Sequence, residues 1–140
     1  MENGTREPLE NLLACLRHRN ILILGFGREG KSSYAFLQRH LPDTRIAVAD
    51  ANNQLETDAF PAVHEWHLEK DYLQAVSRYD LVLQSPGVCL KEMPDTYRPR
   101  ITSQTDLFLK AYGTQCIGVT GTKGKSTTSS LIYHLLKKTG

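Results

Sequence analysis

Four short apolar runs punctuate the first hundred residues, each preceded or followed by a segment whose apolar positions recur every three or four residues. Ile21-Leu22-Ile23-Leu24 reads as a buried strand by its aliphatic density and by Gly25, which ends it. Arg45 to Ala49 predicts a second strand running into Asp50, and Val63 to Trp66 a third. Asp80 to Gln84 predicts a fourth, with Leu81-Val82-Leu83 as its core. Between these runs the period lengthens to that of a helix. Pro8, Leu9, Leu12, Leu13 and Leu16 predict an opening helix. Residues 28 to 40 predict another, with Tyr34, Leu37 and Leu41 on one side and Pro42-Asp43 closing it, and a further helix is expected from Lys70 to Ser77. Asn52 to Pro61 and Pro94 to Pro99 are turn-rich and read as loops. Arg100-Ile101-Thr102 predicts a short edge strand, Gln104 to Tyr112 a helix, Cys116 to Val119 a strand, and Thr128 to Lys138 a last helix.

Strands alternating with helices of this length predict an α/β fold, a Rossmann-like parallel sheet with helices on both faces. The expected domain boundary lies near Thr102. Residues 1–102 then form one α/β domain, and residues 103–140 supply the first strand, turn and helix of a second.

Composition narrows the class. With 140 residues, 40% hydrophobic and 23% charged, the chain is of ordinary globular type, large enough for one domain and the start of another. Its longest purely aliphatic stretch, Ile21 to Leu24, is far short of the ~20 residues that span a bilayer. The first twenty residues are charged and lack a long apolar core, unlike a signal peptide, which points to the cytoplasm. Cys15, Cys89 and Cys116 lie far apart and are expected to be buried structural thiols rather than disulfide or zinc ligands. A net charge of +2 is too small to argue for nucleic-acid or membrane partners. Its distribution says more: residues 1–100 hold 12 Lys/Arg and 14 Asp/Glu, residues 101–140 hold 5 and 1. Basic charge gathers where an anion site would favour it.

The basic end also carries the most informative motif. Gly118-Val-Thr-Gly-Thr-Lys-Gly-Lys-Ser-Thr127 follows an apolar run and opens a helix. A glycine-rich turn in that setting holds the phosphates of a nucleoside triphosphate: its backbone amides converge, Lys125 reaches the β- and γ-phosphates, and the Ser126 hydroxyl sits on Mg²⁺. The helix adds its N-terminal dipole. The general pattern asks for glycine at position 119, where this chain has Val119. An ordinary Gly/Lys/Thr turn before a surface helix is the competing reading.

A second nucleotide-type turn stands near the other end. Gly25-Phe26-Gly27-Arg28-Glu29-Gly30 has the Gly-x-Gly-x-x-Gly spacing between the first strand and the next helix. Asp50 ends the second strand 20 residues beyond Gly30, where an acidic side chain takes ribose hydroxyls. Ser85-Pro86-Gly87 lies at the carboxyl end of the fourth strand, the edge on which open parallel sheets bind ligands, although as a bare turn it needs no such role. His64 and His67 are three apart but lack a third ligand nearby, so metal binding is not expected there.

Two nucleotide turns on consecutive α/β units, with Ser-Pro-Gly between them, resemble the start of a Mur ligase, an ATP-dependent amide ligase of peptidoglycan precursor synthesis. The resemblance runs from Ile21 to Gly140 and is most specific at Gly25 to Gly30, Ser85 to Gly87 and Thr120 to Thr127. This family's phosphate turn does not use glycine at the position of Val119. The resemblance implies a first domain for the UDP end of a muramoyl substrate, a second for ATP and Mg²⁺, and a third for the incoming amino acid. It implies that Gly27, Arg28 and Glu29 contact the diphosphate region, with Ala51 and Asn52 near the uracil and Ser85 and Gly87 lining the same pocket, which Gly25 and Asp50 join from the turn and the end of the second strand. Gly121, Thr122, Lys123, Gly124, Lys125, Ser126 and Thr127 would hold ATP, Lys125 being catalytic and Ser126 a Mg²⁺ ligand.

Ser-Pro-Gly suits the type that adds D-glutamate to UDP-N-acetylmuramoyl-L-alanine. In that reaction a substrate carboxylate takes the γ-phosphoryl group of ATP to become an acyl phosphate, and the amine then displaces phosphate. This chain departs from the family at Arg28-Glu29, where a small or apolar residue and threonine are common. Asn52 stands where arginine is frequent, and Lys123 where asparagine is. With no core for the last helix, the chain is expected to be the N-terminal, inactive piece of a longer monomeric enzyme. A Mur ligase for a different amino acid, an NAD(H)-binding regulatory module using Gly25 to Gly30 and Asp50, and a plain scaffold domain are the alternatives.

Overall fold

The computed structural model describes residues 3–91 and 93–139. Its centre is a five-stranded, wholly parallel sheet in the order β3-β2-β1-β4-β5. The strands are β1 (Ile21–Leu24), β2 (Ile46–Asp50), β3 (Val63–Leu68), β4 (Leu81–Gln84) and the two-residue β5 (Ile101–Thr102). The expected α/β architecture is therefore present, with every expected strand of residues 1–102 within a few residues of its predicted bounds.

β1 reads as an unbroken aliphatic run because it is covered on both faces, and all four of its residues are inaccessible to solvent. Ile21 and Ile23 face one side with Ile46, Val48, Leu81 and Leu83, where Leu13 and Leu16 of α1 (Asn3–Leu16) and Leu37 of α2 (Arg28–His40) meet them. Leu22 and Leu24 face the other side with Ala47, Ala49 and Val82. Each buried Leu, Ile or Val side chain there contributes about 1.5–3 kcal/mol by leaving water.

The helix expected from Lys70 to Ser77 covers that second face. Glu69–Arg78 winds as a tight 3₁₀ helix rather than an α-helix, and presents Ala75 and Val76 to the sheet. The Ser77 hydroxyl donates to the Gln74 carbonyl three residues back at 3.0 Å, the spacing of the tighter helix.

α3 (Gln104–Tyr112) packs on α1 beyond β5. Ser103 caps it, its hydroxyl accepting the Asp106 amide at 3.1 Å. Past α3 the chain changes character. The strand expected at Cys116 to Val119 is absent: Cys116 is extended, but no strand among the described residues pairs with it, and a lone extended segment has no ladder to hold it. α4 (Lys125–Thr139) follows with no buried residue, exposing Leu131, Tyr133, Leu135 and Leu136. The cysteines also depart from expectation. Cys15, Cys89 and Cys116 are all exposed, because each falls on the outward side of its helix or on a loop.

Candidate functional site

In this strand order β1 lies between β2 and β4, so the chain connections leave β1 in opposite directions. A crevice opens at that switch point outside the carboxyl ends of the strands. The turn after β1 is fastened there from several sides. The Gly25 amide donates to the Ala49 carbonyl and the Ser85 amide to the Leu24 carbonyl, both at 2.8 Å. The Ser85 hydroxyl donates to the Gly25 carbonyl at 2.9 Å. Phe26 is buried to 1% exposure and meets Phe60 and Trp66 edge-on, with ring centroids 4.8 and 5.3 Å away.

Asp50 supplies the remaining tie. One carboxylate oxygen accepts the Phe26 amide at 2.6 Å, and the other accepts the Asn52 amide at 2.7 Å. It thus braces the glycine turn against the end of β2. Gly30 is required by contact: a Cβ there would stand 2.2 Å from the Gly25 carbonyl oxygen. Gly27 is the opposite case, with nothing within 4 Å of a Cβ. It precedes α2 without any side-chain cap, so no capping side chain accepts from the first amides of α2. An anion fits that place by hydrogen bonding and by dipole.

A cavity of about 500 Å³ adjoins this turn. Gly25, Gly27, Arg28 and Glu29 line it from the turn, and Asp50 and Ala51 from the end of β2. Ser85 and Gly87 line it from the far side. Eight of the nine residues named from sequence for this end of the molecule are thus brought together. Asn52 is the ninth and does not line the cavity; its side-chain oxygen accepts the Gln54 amide at 2.9 Å within a local turn. Pro86 and Val88 also line the cavity without having been named as site residues, and two further residues matter more. Phe26 anchors the turn, and Tyr72, from the 3₁₀ segment, lines the cavity. Phe26 carried a signal, since an aromatic between two glycines needs a burial site; Tyr72 belongs to no motif.

The basic turn is built differently. Gly124 holds φ at +77°, a conformation that side-chain-bearing residues rarely adopt, and its carbonyl accepts the Thr128 amide at 2.9 Å to start α4. The Lys125 ammonium folds back onto the Gly121 carbonyl at 2.7 Å and so lies over the loop. The Ser126 hydroxyl, in the first exposed turn, has no hydrogen-bond partner among the described residues. An ammonium over a glycine loop, helix-start amides and a free hydroxyl are the donor set a triphosphate with its Mg²⁺ uses. Thr122, Lys123 and Thr127 are exposed in the same turn.

A third polar cluster sits toward the opposite end of the sheet. The Tyr79 hydroxyl donates to Glu65 at 3.0 Å and lies 2.8 Å from His67 Nε2; Arg78 pairs with Glu65 at 3.1 Å. Burial and the Glu65 hydrogen bond push the Tyr79 hydroxyl up to about 12. The Tyr79 hydrogen bond holds Glu65 below its ordinary value, and burial lowers His67. These groups clamp the edge strand β3 to the end of the 3₁₀ segment. No cluster of three or more potential metal ligands occurs among the described residues.

Comparison with known proteins gives a consistent family. The chain is 36% identical over 132 residues to UDP-N-acetylmuramoyl-L-alanine--L-glutamate ligase of Salinispora tropica, covering 89% of this chain and 29% of that protein. It is 35% identical over 133 residues to UDP-N-acetylmuramoylalanine--D-glutamate ligase of Syntrophus aciditrophicus, covering 87% and 29%. It is 32% identical over 127 residues to the D-glutamate ligase of the same name from Leptospira borgpetersenii serovar Hardjo-bovis, covering 88% and 26%. The chain thus spans less than a third of the length of the curated relatives it matches. No family model matches it. No solved structure matches it. With nearly nine-tenths of its length aligned at 32–36% identity to glutamate ligases of both stereochemical kinds, this chain belongs to the Mur ligase family.

Proposed function

We propose that the crevice at the carboxyl ends of β1, β2 and β4 holds the uridine diphosphate end of a UDP-N-acetylmuramoyl-L-alanine substrate. In this reading residues 1–102 are the substrate-binding domain and residues 103–140 open the ATP-binding domain. The observation that carries it is the convergence of three separate turns on one cavity, with open helix-start amides at Gly27 to Glu29. The diphosphate accepts from those amides, and Arg28 offsets the Glu29 carboxylate beside it. Asp50 sets the shape of the turn through its two amide contacts and remains able to accept from a ribose hydroxyl.

The second part of the proposal concerns Gly121 to Thr127. Backbone amides of that turn, the Lys125 ammonium and the Ser126 hydroxyl would hold the phosphates of ATP and Mg²⁺. Bound there, Mg²⁺ supplies positive charge at the transferring phosphoryl group. Lys125 neutralises charge that develops on the γ-phosphate as the substrate carboxylate attacks it. The product of that step is an acyl phosphate, which the glutamate amine converts to the amide. The amide-forming activity is assigned to a protein of the relatives' full length, cytoplasmic and monomeric, and this stretch alone is expected to bind without ligating. Relatives of both names leave D- and L-glutamate as the two amino-acid candidates.

Calorimetric titration with UDP tests the crevice. The unmutated chain should bind, and the Arg28→Ala/Ser85→Ala double variant should bind at least tenfold more weakly. Indistinguishable heats would sink the assignment, and a preference for NADH over UDP would replace it with the regulatory reading.

A further inference from the structure

We propose that Tyr72 forms the nucleobase wall of the crevice, its aromatic face packing against the pyrimidine ring. The inference rests on the reading of the cavity as a uridine nucleotide site and adds the residue that recognises the base. Three observations on the molecule lead to it.

The first is position. Asp50, the last residue of β2, pairs in register with Leu68, the last residue of β3. Tyr72 follows Leu68 by one turn of the 3₁₀ segment, so it stands at the carboxyl edge of the sheet on the β2 side. The open amides of Gly27 to Glu29 lie at the β1 side of the same cavity. A nucleotide with its diphosphate on those amides projects its base away from β1, and β2 leads toward Tyr72.

The second is chemistry. Tyr72 is the one aromatic side chain lining the cavity among the described residues, since Phe26, Phe60 and Trp66 are engaged with one another on the other face of the sheet. Tyr72 is half-buried and rests on the Ala75 and Val76 cluster, which holds the ring in place before a ligand arrives. Its hydroxyl makes no hydrogen bond within the described residues. An aromatic ring already ordered loses little entropy on stacking.

The third is the behaviour of Asn52. That position sits beside the expected uracil site, yet its side-chain oxygen accepts the Gln54 amide in a local turn and the residue does not line the cavity. The base therefore finds its flat apolar contact on the 3₁₀ segment. Ala51, Pro86 and Val88 are the remaining small apolar contributors.

The test is UDP titration of the unmutated chain, Tyr72→Phe and Tyr72→Leu, with thermal unfolding of each. Leu keeps the apolar contact with Ala75 and Val76 but loses the ring. The expected result is a loss of about ten- to a hundredfold in UDP affinity for Tyr72→Leu, the range spanned by base stacking on aromatics, and a change within about threefold for Tyr72→Phe. Equal affinities for all three proteins, or equal losses for Leu and Phe, overturn the proposal while leaving the crevice assignment intact. No UDP binding by the unmutated chain overturns both. In the UDP complex of the unmutated chain, nuclear Overhauser contacts between the Tyr72 ring and uracil H5 and H6 give the same answer without a substitution, and their absence counts against it.

Discussion

The two glycine turns of this chain share a local design and differ in everything around it. Each opens a helix and each presents free amides at the helix start. Gly25 to Gly30 is bound into the fold by the buried Phe26 ring, the Asp50 carboxylate, the Ser85 hydroxyl and a glycine that admits no side chain. Gly121 to Lys125 is held by itself, with Lys125 on the Gly121 carbonyl and α4 exposed along its length. The difference separates two ways of shaping a glycine turn at a helix start. In the first, tertiary packing sets the curvature of the turn. In the second, backbone conformation and one side chain suffice to form it.

The largest effect expected from that contrast is on stability. Ile23, fully inaccessible beneath α1 and α2, should cost about 2–5 kcal/mol as Ile23→Ala. Leu135, 66% exposed on α4, should change stability by within ~0.5 kcal/mol as Leu135→Ala. Equilibrium urea unfolding of the two variants measures both, and equal losses would show that α4 is as well packed as the sheet.

Glycine substitution sharpens the comparison at smaller scale. Gly30→Ala drives a methyl group into the Gly25 carbonyl and should cost about 1–3 kcal/mol in the same assay, together with UDP binding. Gly124→Ala meets no neighbouring atom, but it strains a positive φ. Its expected signature is weaker binding of an ATP analogue with the unfolding midpoint of the sheet unmoved.

The smallest effect is on pH dependence, which should belong to the packed region through His67, Glu65 and Tyr79, with Arg78 and Arg45 as their charged neighbours. His67 is lowered by burial, so the unfolded chain binds a proton first, and stability should fall as pH drops below about 6.5. Glu65 is lowered as well, and its contribution is lost at more acid pH still. Tyr79 is raised to about 12, so the unfolded chain ionises first and stability should decline again above about 10. His67→Gln should flatten the urea midpoint between about pH 5 and 7. An unchanged slope there would place the titrating group elsewhere.

Much of this was legible before any coordinates. Ile21 to Leu24 and Leu81 to Leu83 read as strands covered on both sides, because strands buried on both faces appear as unbroken aliphatic runs rather than alternating ones. The spacing of Gly25, Gly27 and Gly30 placed a turn and a helix start after β1, and Ser85 to Gly87 followed from the end of β4. Glycine, proline and aliphatic density act through the local backbone, which is why they can be read from sequence. The curated relatives then attached a family to that pattern.

Other features waited for the packing. Glu69 to Arg78 shows helical spacing, yet whether it winds as α or 3₁₀ depends on how it lies across the sheet. Cys15, Cys89 and Cys116 looked like core thiols only until the faces of their elements were known. Tyr72 reaches the crevice because β2 and β3 end in register, and Asn52 stays out of it, with its side-chain oxygen accepting the Gln54 amide. Sequence alone settled where the chain turns and which stretches leave water, since those choices rest on a few adjacent residues. Which side chains meet across the crevice was decided by strand order and register, which bring together positions far apart in the chain.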